Sequence, residues 1–271
     1  MSTDPVAANI HAWDGRVADH LVAYGAEAFA DDPTALRAET EVQLLAPHLP
    51  GGSLEGLDVV HLQCHIGVDT ISLARRGARA VGTDLSGEAV AAARALAARA
   101  GTSDVTFVRC RNEDAPDVLG REFDVVLTSV GVLAWLSDLD SWARAVARLL
   151  RPGGVFLVYD AHPMLYALEY ERDDGQLVLG KPYFARETPV EISDGLTYAA
   201  PARADVTYEW PHHLAEVLTA VLQAGLRIEA FGEHRTMPWA ALPGMDRTER
   251  GFALPPGSPE CPLMFSLVAR R

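Results

Sequence analysis

The stretch Val59–Asp84, VVHLQCHIGVDTISLARRGARAVGTD, is typical of a strand, a tight turn, a helix and a second strand. Val59, Val60 and Leu62 form an apolar run of the kind that fills a buried strand. Gly67 closes the turn, and Asp84 lies at the end of the second strand. In such a βαβ unit the first turn faces the carboxyl end of the sheet, where ligands bind. The stretch therefore predicts a ligand site between the turn and Asp84.

The separation of Gly67 from Asp84 fits a recurrent arrangement in nucleotide-binding proteins. There, an acidic residue about 20 positions beyond the turn accepts hydrogen bonds from ribose hydroxyls. An ionised carboxylate suits this task because it only accepts hydrogen bonds. Two structural alternatives remain: an ordinary surface aspartate, or an N-cap for the helix that begins near Ser86.

The amino-acid composition limits the kinds of partner that the protein is expected to bind. The chain has 271 residues, of which 49% are hydrophobic and 22% charged, and its formal net charge is −14. A chain of this length forms one large domain or a core domain with a cap. The acidic surplus disfavours nucleic acids and anionic membrane surfaces, because both are recognised by clustered Lys and Arg. A small-molecule partner is expected instead.

Several features favour a cytoplasmic protein. No apolar run reaches the ~18–20 residues that span a bilayer. The opening residues lack the basic and apolar regions of a secretory signal. Cys64, Cys110 and Cys261 are too few and too scattered for a disulfide framework. A homodimer is left open.

Strands and helices alternate through the middle of the chain. The predicted strands are near Asp58–Leu62, Ala80–Thr83, Val105–Arg109, Asp124–Thr128 and Val155–Tyr159. The predicted helices are near Asp69–Arg76, Gly87–Ala100 and Leu139–Leu150. This alternation predicts a mostly parallel sheet with helices on both faces.

The flanking regions differ from this core. Residues 1–50 show helical spacing, with a second helix from Ala35 to Leu45, and are expected to cover the ligand turn. Residues of about 160–210 are irregular, with a strand-like fragment at Gly195–Ala199, and are too long for a plain connector. We expect this segment to be a small cap. Together with the N-terminal helices it would form the acceptor pocket.

The C-terminal region returns to regular structure. It is expected to contain a helix at Pro211–Ala224 and strands at Leu226–Phe231 and Leu263–Ala269. The proline-rich stretch Thr236–Pro262 is expected to be a long surface loop.

Four landmarks in order carry a family resemblance over about residues 40–271. They are VVHLQCHIGVDT, VGTDLS, FDVVLTSVGVLAWL and LLRPGGVFLVYDAHP. With them the chain resembles class I S-adenosylmethionine-dependent methyltransferases. HLQCHIG, WPHHL and GEH resemble, more narrowly, a bacterial small-molecule subgroup of that family.

The resemblance implies an α/β, Rossmann-like fold with a seven-stranded, mostly parallel sheet and an antiparallel last strand. Helices would cover both faces of this sheet. Residues 1–50 would be an N-terminal helical lid, and residues 51–271 the methyltransferase core, with a cap insertion at about 160–210. The implied cofactor is S-adenosyl-L-methionine, and the implied reaction is methyl transfer to an O, N or C atom of a metabolite or natural-product scaffold.

The turn departs from the family pattern. Gln63 and His65 occupy the first two glycine positions, and His61 replaces the usual acidic residue at the end of the first strand. Glycines there would let the backbone approach a ligand closely, so the side chain of His61 or Gln63 is expected to contact the methionyl group. Arg111 occupies the position of the usual adenine-contacting aspartate, which makes Asn112 and Glu113 the candidates for that contact.

The cofactor-binding residues implied by the resemblance follow the carboxyl ends of the first four strands. They are His61, Gln63, Cys64, His65, Gly67, Asp84, Leu85, Asn112, Glu113 and Ser129.

Three residues are candidates for catalysis. His162, just after the fifth strand, and His212, at the start of the late helix, are candidate general bases, since histidine titrates near neutral pH. A base is required only if the acceptor must lose a proton near the transition state. Tyr24, on the lid, would position the substrate or the carboxylate of the cofactor. For each histidine the alternative is a purely structural role.

Aromatic residues are expected to shape the acceptor pocket. The candidates are Trp135, Trp210, Tyr166 and Tyr183, whereas Trp142 is expected in the core. No metal site is expected, because no second ligand pair with zinc spacing follows the cluster of His61, Cys64 and His65.

Two other functions compete with methyl transfer. A nicotinamide-dependent oxidoreductase predicts G-x-G-x-x-G after the first strand, which this turn lacks. A nonenzymatic S-adenosylmethionine-binding module would keep the fold after loss of the turn glycines.

Overall fold

The strands of the main sheet follow the predicted order. The computed structural model describes residues 4–169, 176–184, 188–193 and 205–271. The strands are β1 Asp58–Leu62, β2 Arg79–Asp84, β3 Val105–Arg109, β4 Phe123–Ser129, β5 Leu150–Ala161, β6 Val190–Ile192, β7 Thr207–Glu209, β8 Arg227–His234, β9 Thr236–Met237, β10 Asp246–Thr248, β11 Gly251–Ala253 and β12 Met264–Arg270. The sequence located β1 and β3 to the residue.

Helices precede, separate and follow these strands. They are α1 Pro5–Ala23, α2 Ala26–Asp31, α3 Glu39–Leu45, α4 Val68–Arg75, α5 Gly87–Arg99, α6 Ala115–Leu119, α7 Leu139–Leu149, α8 Pro163–Tyr166 and α9 Leu214–Gln223. Among the described residues, no helix is long and apolar enough to cross a membrane.

The main sheet has seven strands in the order β3-β2-β1-β4-β5-β12-β8. Strands β1 to β5 pair in parallel, while β12 pairs antiparallel with both β5 and β8. The predicted seven-stranded, mostly parallel sheet with an antiparallel last strand is confirmed. The strand order reverses between β1 and β4, so the ends of β1, β2 and β4 open onto one crevice.

Apolar side chains fill both faces of the sheet. Trp142, Phe156 and Phe265 are almost wholly buried with α7 and α9 on one face, which confirms the core position predicted for Trp142. Leu45 of α3 packs on the other face. Burial of each such side chain contributes roughly 1.5–3 kcal/mol, so this core holds the strand ends in fixed register.

Two predictions of secondary structure were wrong. The expected helix from Ala35 begins only at Glu39, and a separate short helix, α2, precedes it. The expected surface loop Thr236–Pro262 contains a three-stranded sheet in the order β10-β11-β9. Its strands have two or three residues each, too short for an alternating pattern to show in the sequence.

The segment predicted to form a cap is partly described. After β5 the chain forms α8, and β6 pairs antiparallel with β7. The strand-like fragment predicted at Gly195–Ala199 lies outside the described residues. Asn9 of α1 exchanges hydrogen bonds with the backbone of Tyr208 in β7, at 2.7 and 2.8 Å. These bonds join the described part of the cap to α1.

Gly67 gives a first prediction. Its φ is +76°, and an added Cβ would lie 2.6 Å from the Phe107 ring and 2.8 Å from the Ala93 Cβ. Gly67→Ala therefore adds overpacking of about 1–3 kcal/mol to a backbone cost of about 1–2 kcal/mol. Gly101→Ala is the matched control, because φ is +61° and nothing lies within 4 Å.

We expect urea denaturation to show a clearly larger loss in the free energy of unfolding for Gly67→Ala than for Gly101→Ala. Equal losses would contradict the packing role of Gly67.

Candidate active site

The turn after β1 keeps a glycine-like backbone without two of its glycines. Gln63 and His65 both have left-handed conformations, with φ of +56° and +49°. Such conformations cost non-glycine residues about 1–2 kcal/mol each. At Gly67, the remaining glycine, an added Cβ would lie 2.6 Å from the Phe107 ring, so the packing requires a glycine at this position. Strain of this kind is retained where the surroundings enforce it, which is common at binding sites.

Asp84 ties the end of β2 to this turn. Its carboxylate accepts hydrogen bonds from the backbone N–H of His65 and of Ser86, each at 2.8 Å. The cap of α5 is Ser86, whose hydroxyl accepts from the N–H of Ala89, so Asp84 is not the helix cap. Burial raises the pKa of Asp84, and nearby Asp14 of α1 raises it further.

Helix α1 packs over the turn through a group of rings that we call the lid cluster: Trp13, His20, Tyr24, His65 and Trp135. The Nδ1 atom of His20 lies 2.8 Å from the Nε2 atom of His65. Trp13 meets His65 and Trp135 edge-on, with centroids 5.3 and 5.2 Å apart. The cluster thus spans from the turn after β1 to the segment after β4. Tyr24 contacts His20 and His65 at 5.3 and 6.2 Å.

The two histidines of the lid cluster are held neutral. Burial lowers the pKa of His20 to about 4, with a further lowering by Arg16. Burial and the neighbouring His20 lower the pKa of His65 to about 3. Their hydrogen bond is therefore a contact between neutral rings at physiological pH.

Gln63 crosses the crevice. Its Nε2 donates to the backbone oxygen of Val132, at 3.0 Å. Its Oε1 is buried and has no hydrogen-bond partner within the described residues. A buried amide oxygen without a partner is costly, so this atom is suited to a ligand donor. Arg16 is also buried. It lies in α1, the helix that carries Trp13 and His20 of the lid cluster.

The side chain of His61 is not available to a ligand. Its Nδ1 lies 2.9 Å from the hydroxyl of Thr70, and its Nε2 lies 3.2 Å from the backbone oxygen of Ser129. The predicted contact of His61 with a methionyl group would therefore require loss of one of these bonds. Cys64 is buried next to Gly82, and burial raises the pKa of its thiol, which stays neutral.

The segment after β4 is fixed by Asp160, at the end of β5. Its carboxylate accepts hydrogen bonds from the backbone N–H groups of Gly131, Val132, Leu133 and Ala161. The sequence reasoning missed this residue. The signal was available, because an acidic residue ending a buried strand is the same feature that identified Asp84.

The residues expected near adenine lie after β2 and β3. Asn112 is buried, whereas Glu113 pairs with Arg111 at 2.6 Å and is exposed. The backbone oxygen of Leu85 accepts from Arg109 at 3.1 Å. Asn112 is thus the better positioned of the two predicted adenine contacts.

The two candidate bases differ in their surroundings. In His162, Nδ1 accepts from the backbone N–H of Met164 and Nε2 lies 3.0 Å from Glu233. Because Nδ1 accepts this bond, Nε2 carries the proton of the neutral ring, and the ring caps α8. In His212, Nε2 lies 2.7 Å from the backbone oxygen of Leu136 and therefore carries the proton. Its Nδ1 lies 3.4 Å from an oxygen of Glu216 and is the nitrogen that can accept a proton.

A cavity lies beside the segment after β4. Its walls include Leu133 and Ala134 of that segment, with Tyr166, Tyr183 and Trp210 from the cap region. The predicted aromatic residues Tyr166, Tyr183 and Trp210 are thus brought together, whereas Trp135 belongs to the lid cluster. His212 lines the cavity, but no residue of α1 to α3 does.

Part of this chain is similar in sequence to known proteins. Residues 60–156 match a family model described as a methyltransferase domain. A ubiquinone biosynthesis O-methyltransferase of Aeromonas salmonicida is 29% identical over 153 residues, which are 56% of this chain and 60% of that protein. The chain spans about half to three-fifths of the length of the first curated relatives it matches.

Solved structures share the fold. An S-adenosylmethionine-dependent methyltransferase from Mesorhizobium loti superposes with a TM-score of 0.59 at 22% identity, over 86% of this chain and 99% of that chain. The glycopeptide N-methyltransferase MtfA, solved with S-adenosylmethionine, superposes with a TM-score of 0.54 at 19% identity, over 85% of each chain.

The lid cluster gives a second prediction. A buried histidine with a lowered pKa binds fewer protons in the folded than in the unfolded state, so stability falls as the pH drops from about 6.5 toward 4. His65→Asn removes one of these groups while tolerating a left-handed backbone. We expect the free energy of unfolding of this variant to depend less on pH in that window.

The control is His11→Asn, at an exposed position of α1. Other buried groups also make the free energy of unfolding depend on pH; one is Glu41, whose pKa is raised by burial to about 7. Their contribution is the same in the parent and in both variants. If the parent and His65→Asn lose stability in parallel between pH 6.5 and 4, the histidines are not held neutral as described.

Proposed function

We propose that this chain is a class I S-adenosylmethionine-dependent methyltransferase, which transfers a methyl group from S-adenosylmethionine to a small molecule. The match of residues 60–156 to a methyltransferase domain and the shared fold support this proposal. The observation that carries the proposal is the crevice at the reversal of strand order, where Asp84 ends β2 beside the turn after β1. The acceptor is a metabolite. We also propose that the protein acts in the cytoplasm.

The residues at the crevice fit this cofactor. Asp84 offers an acceptor-only carboxylate for ribose hydroxyls. The unpartnered Oε1 of Gln63 would accept from the methionyl ammonium, and the buried guanidinium of Arg16 would attract the methionyl carboxylate. When bound, S-adenosylmethionine supplies a methyl group activated by its sulfonium. Asn112, after β3, is our choice for the adenine contact.

The chain contributes mainly position and exclusion of water. The bonds that Asp160 accepts fix the segment after β4, and the lid cluster covers the turn. Holding two reactants in line can supply much of a rate enhancement without further chemistry. In this proposal, Tyr24 and the other rings of the lid cluster cover the turn and hold the reactants in position.

His212 is the general base in this proposal. Its Nδ1 would accept the acceptor's proton, and Glu216 would stabilise the imidazolium that forms. His162 has no such role in this proposal, because its Nδ1 already accepts a bond from the backbone N–H of Met164 and its Nε2 therefore carries the proton of the neutral ring.

A third prediction concerns Asp84. Asp84→Asn keeps the size of the side chain but exchanges an acceptor oxygen for a donor, so we expect affinity for S-adenosylhomocysteine to fall about 10–100-fold. Titration calorimetry measures this. Asp117→Asn, a surface carboxylate paired with Arg148, serves as control.

Circular dichroism of the variant should first establish that it is folded. Affinity within twofold of the parent in a folded Asp84→Asn protein would remove Asp84 as the ribose ligand. Binding of NADH, with none of S-adenosylhomocysteine, would favour the oxidoreductase alternative.

A fourth prediction concerns turnover. With S-adenosylmethionine carrying a labelled methyl group and a metabolite extract, the parent should label at least one product. His212→Gln should lower the labelling rate about 10²–10⁴-fold, the usual contribution of a general base, with little change in cofactor affinity. Tight cofactor binding without any labelled product would favour the nonenzymatic binding module.

A further inference from the structure

The cavity beside the segment after β4 is enclosed by elements that are distant in sequence. Leu133 and Ala134 follow β4, Ala161 ends β5, Ile192 ends β6 and Phe265 lies in β12. The volume open to the centre of a water-sized sphere is about 50 Å³. One water needs about 10–15 Å³ on this measure, so the cavity has room for a small ring or for part of a larger ring system.

Its lining is mostly apolar and rich in rings. Tyr166, Tyr183, Trp210 and Phe265 all face it, and the remaining walls are largely Leu, Ala, Val, Ile and Pro. Aromatic walls favour flat ligands, because rings stack or meet edge-to-face at centroid distances of about 4.5–7 Å. The cavity therefore favours a ring system over a compact polar molecule.

Polar groups in the lining are few. Among the residues that the structure describes, Lys181 and Glu209 are the only charged ones in the lining, and His212 supplies an imidazole. Lys181 lines the cavity and is exposed to solvent. A small, strongly charged acceptor would lose its hydration against mostly apolar walls, which is costly without paired groups.

The cavity adjoins the proposed cofactor crevice. Leu133 and Ala134 line the cavity, while the next residue, Trp135, meets Trp13 of the lid cluster. The backbone N–H of Trp210 donates to the oxygen of Ala134, at 2.8 Å. This three-residue segment thus borders both the cavity and the lid cluster, and it is bonded to the backbone of Trp210.

We propose that this cavity is the acceptor site, that it binds a flat, largely apolar ring system, and that Trp210 determines this specificity. The inference rests on the methyl-transfer function proposed above. The atom that accepts the methyl group faces the segment Leu133–Trp135. His212 also lines the cavity and lies 2.7 Å from the backbone oxygen of Leu136, next to that segment.

Lys181 gives a direct test, because it is the only lysine in the chain. An amine-selective acetylating reagent labels Lys181 and the α-amino group, and mass spectrometry follows each rate separately. Indole serves as a flat apolar probe, and glycine betaine as a compact charged one. We expect indole to slow labelling of Lys181 at least threefold, with the α-amino group unaffected, and betaine to have no effect.

Trp210→Ala tests the specificity role. It leaves the backbone bond to Ala134 in place, and we expect the indole concentration for half-protection to rise about 3- to 10-fold. Phe252→Ala is the control, since Phe252 lies in β11 and pairs with β9 and β10 outside the cavity. Affinity for S-adenosylhomocysteine should be unchanged in both variants.

The outcomes separate the two proposals. No protection by indole, or equal protection in Trp210→Ala, with normal binding of S-adenosylhomocysteine, overturns the acceptor site while the methyl-transfer function stands. Equal protection by betaine overturns the specificity for ring systems. Failure of the parent protein to bind S-adenosylhomocysteine overturns the proposed function, and the acceptor role of the cavity with it.

Discussion

Two buried carboxylates at the carboxyl edge of the sheet fix the loops that form the crevice, each by accepting hydrogen bonds from backbone N–H groups. Asp84 binds the turn after β1, and Asp160 binds the segment after β4. Such charge-assisted bonds are about twice as strong as bonds between neutral groups. Because burial raises the pKa of both carboxyls, these backbone donors are what favours their ionised forms.

The turn after β1 shows how the chain manages without two glycines. Gln63 and His65 keep the left-handed backbone conformation at a cost, and each side chain contacts an element across the crevice. Gln63 reaches the segment after β4, and His65 reaches α1. Helix α1 is therefore coupled to the turn through side chains that a glycine turn would not have.

The sequence predicted the main sheet well, because β1 and β3 are apolar runs bounded by turn residues. It also placed Trp142 in the core and grouped Tyr166, Tyr183 and Trp210. It failed where elements were very short, as in β9 to β11, since two or three residues carry no period. The roles of His61 and His162 could not be predicted from the sequence. Their ring nitrogens lie within 3.2 Å of Ser129 and Glu233, respectively, which only the folded chain brings near.

The structure of a complex with S-adenosylhomocysteine would test the central claim most directly. We expect both ribose hydroxyls within about 3.2 Å of the Asp84 carboxylate, with the sulfur facing the segment Leu133–Trp135. A nucleoside bound away from Asp84, or a crevice in which the rings of His65 and Trp13 exclude it, would contradict the account.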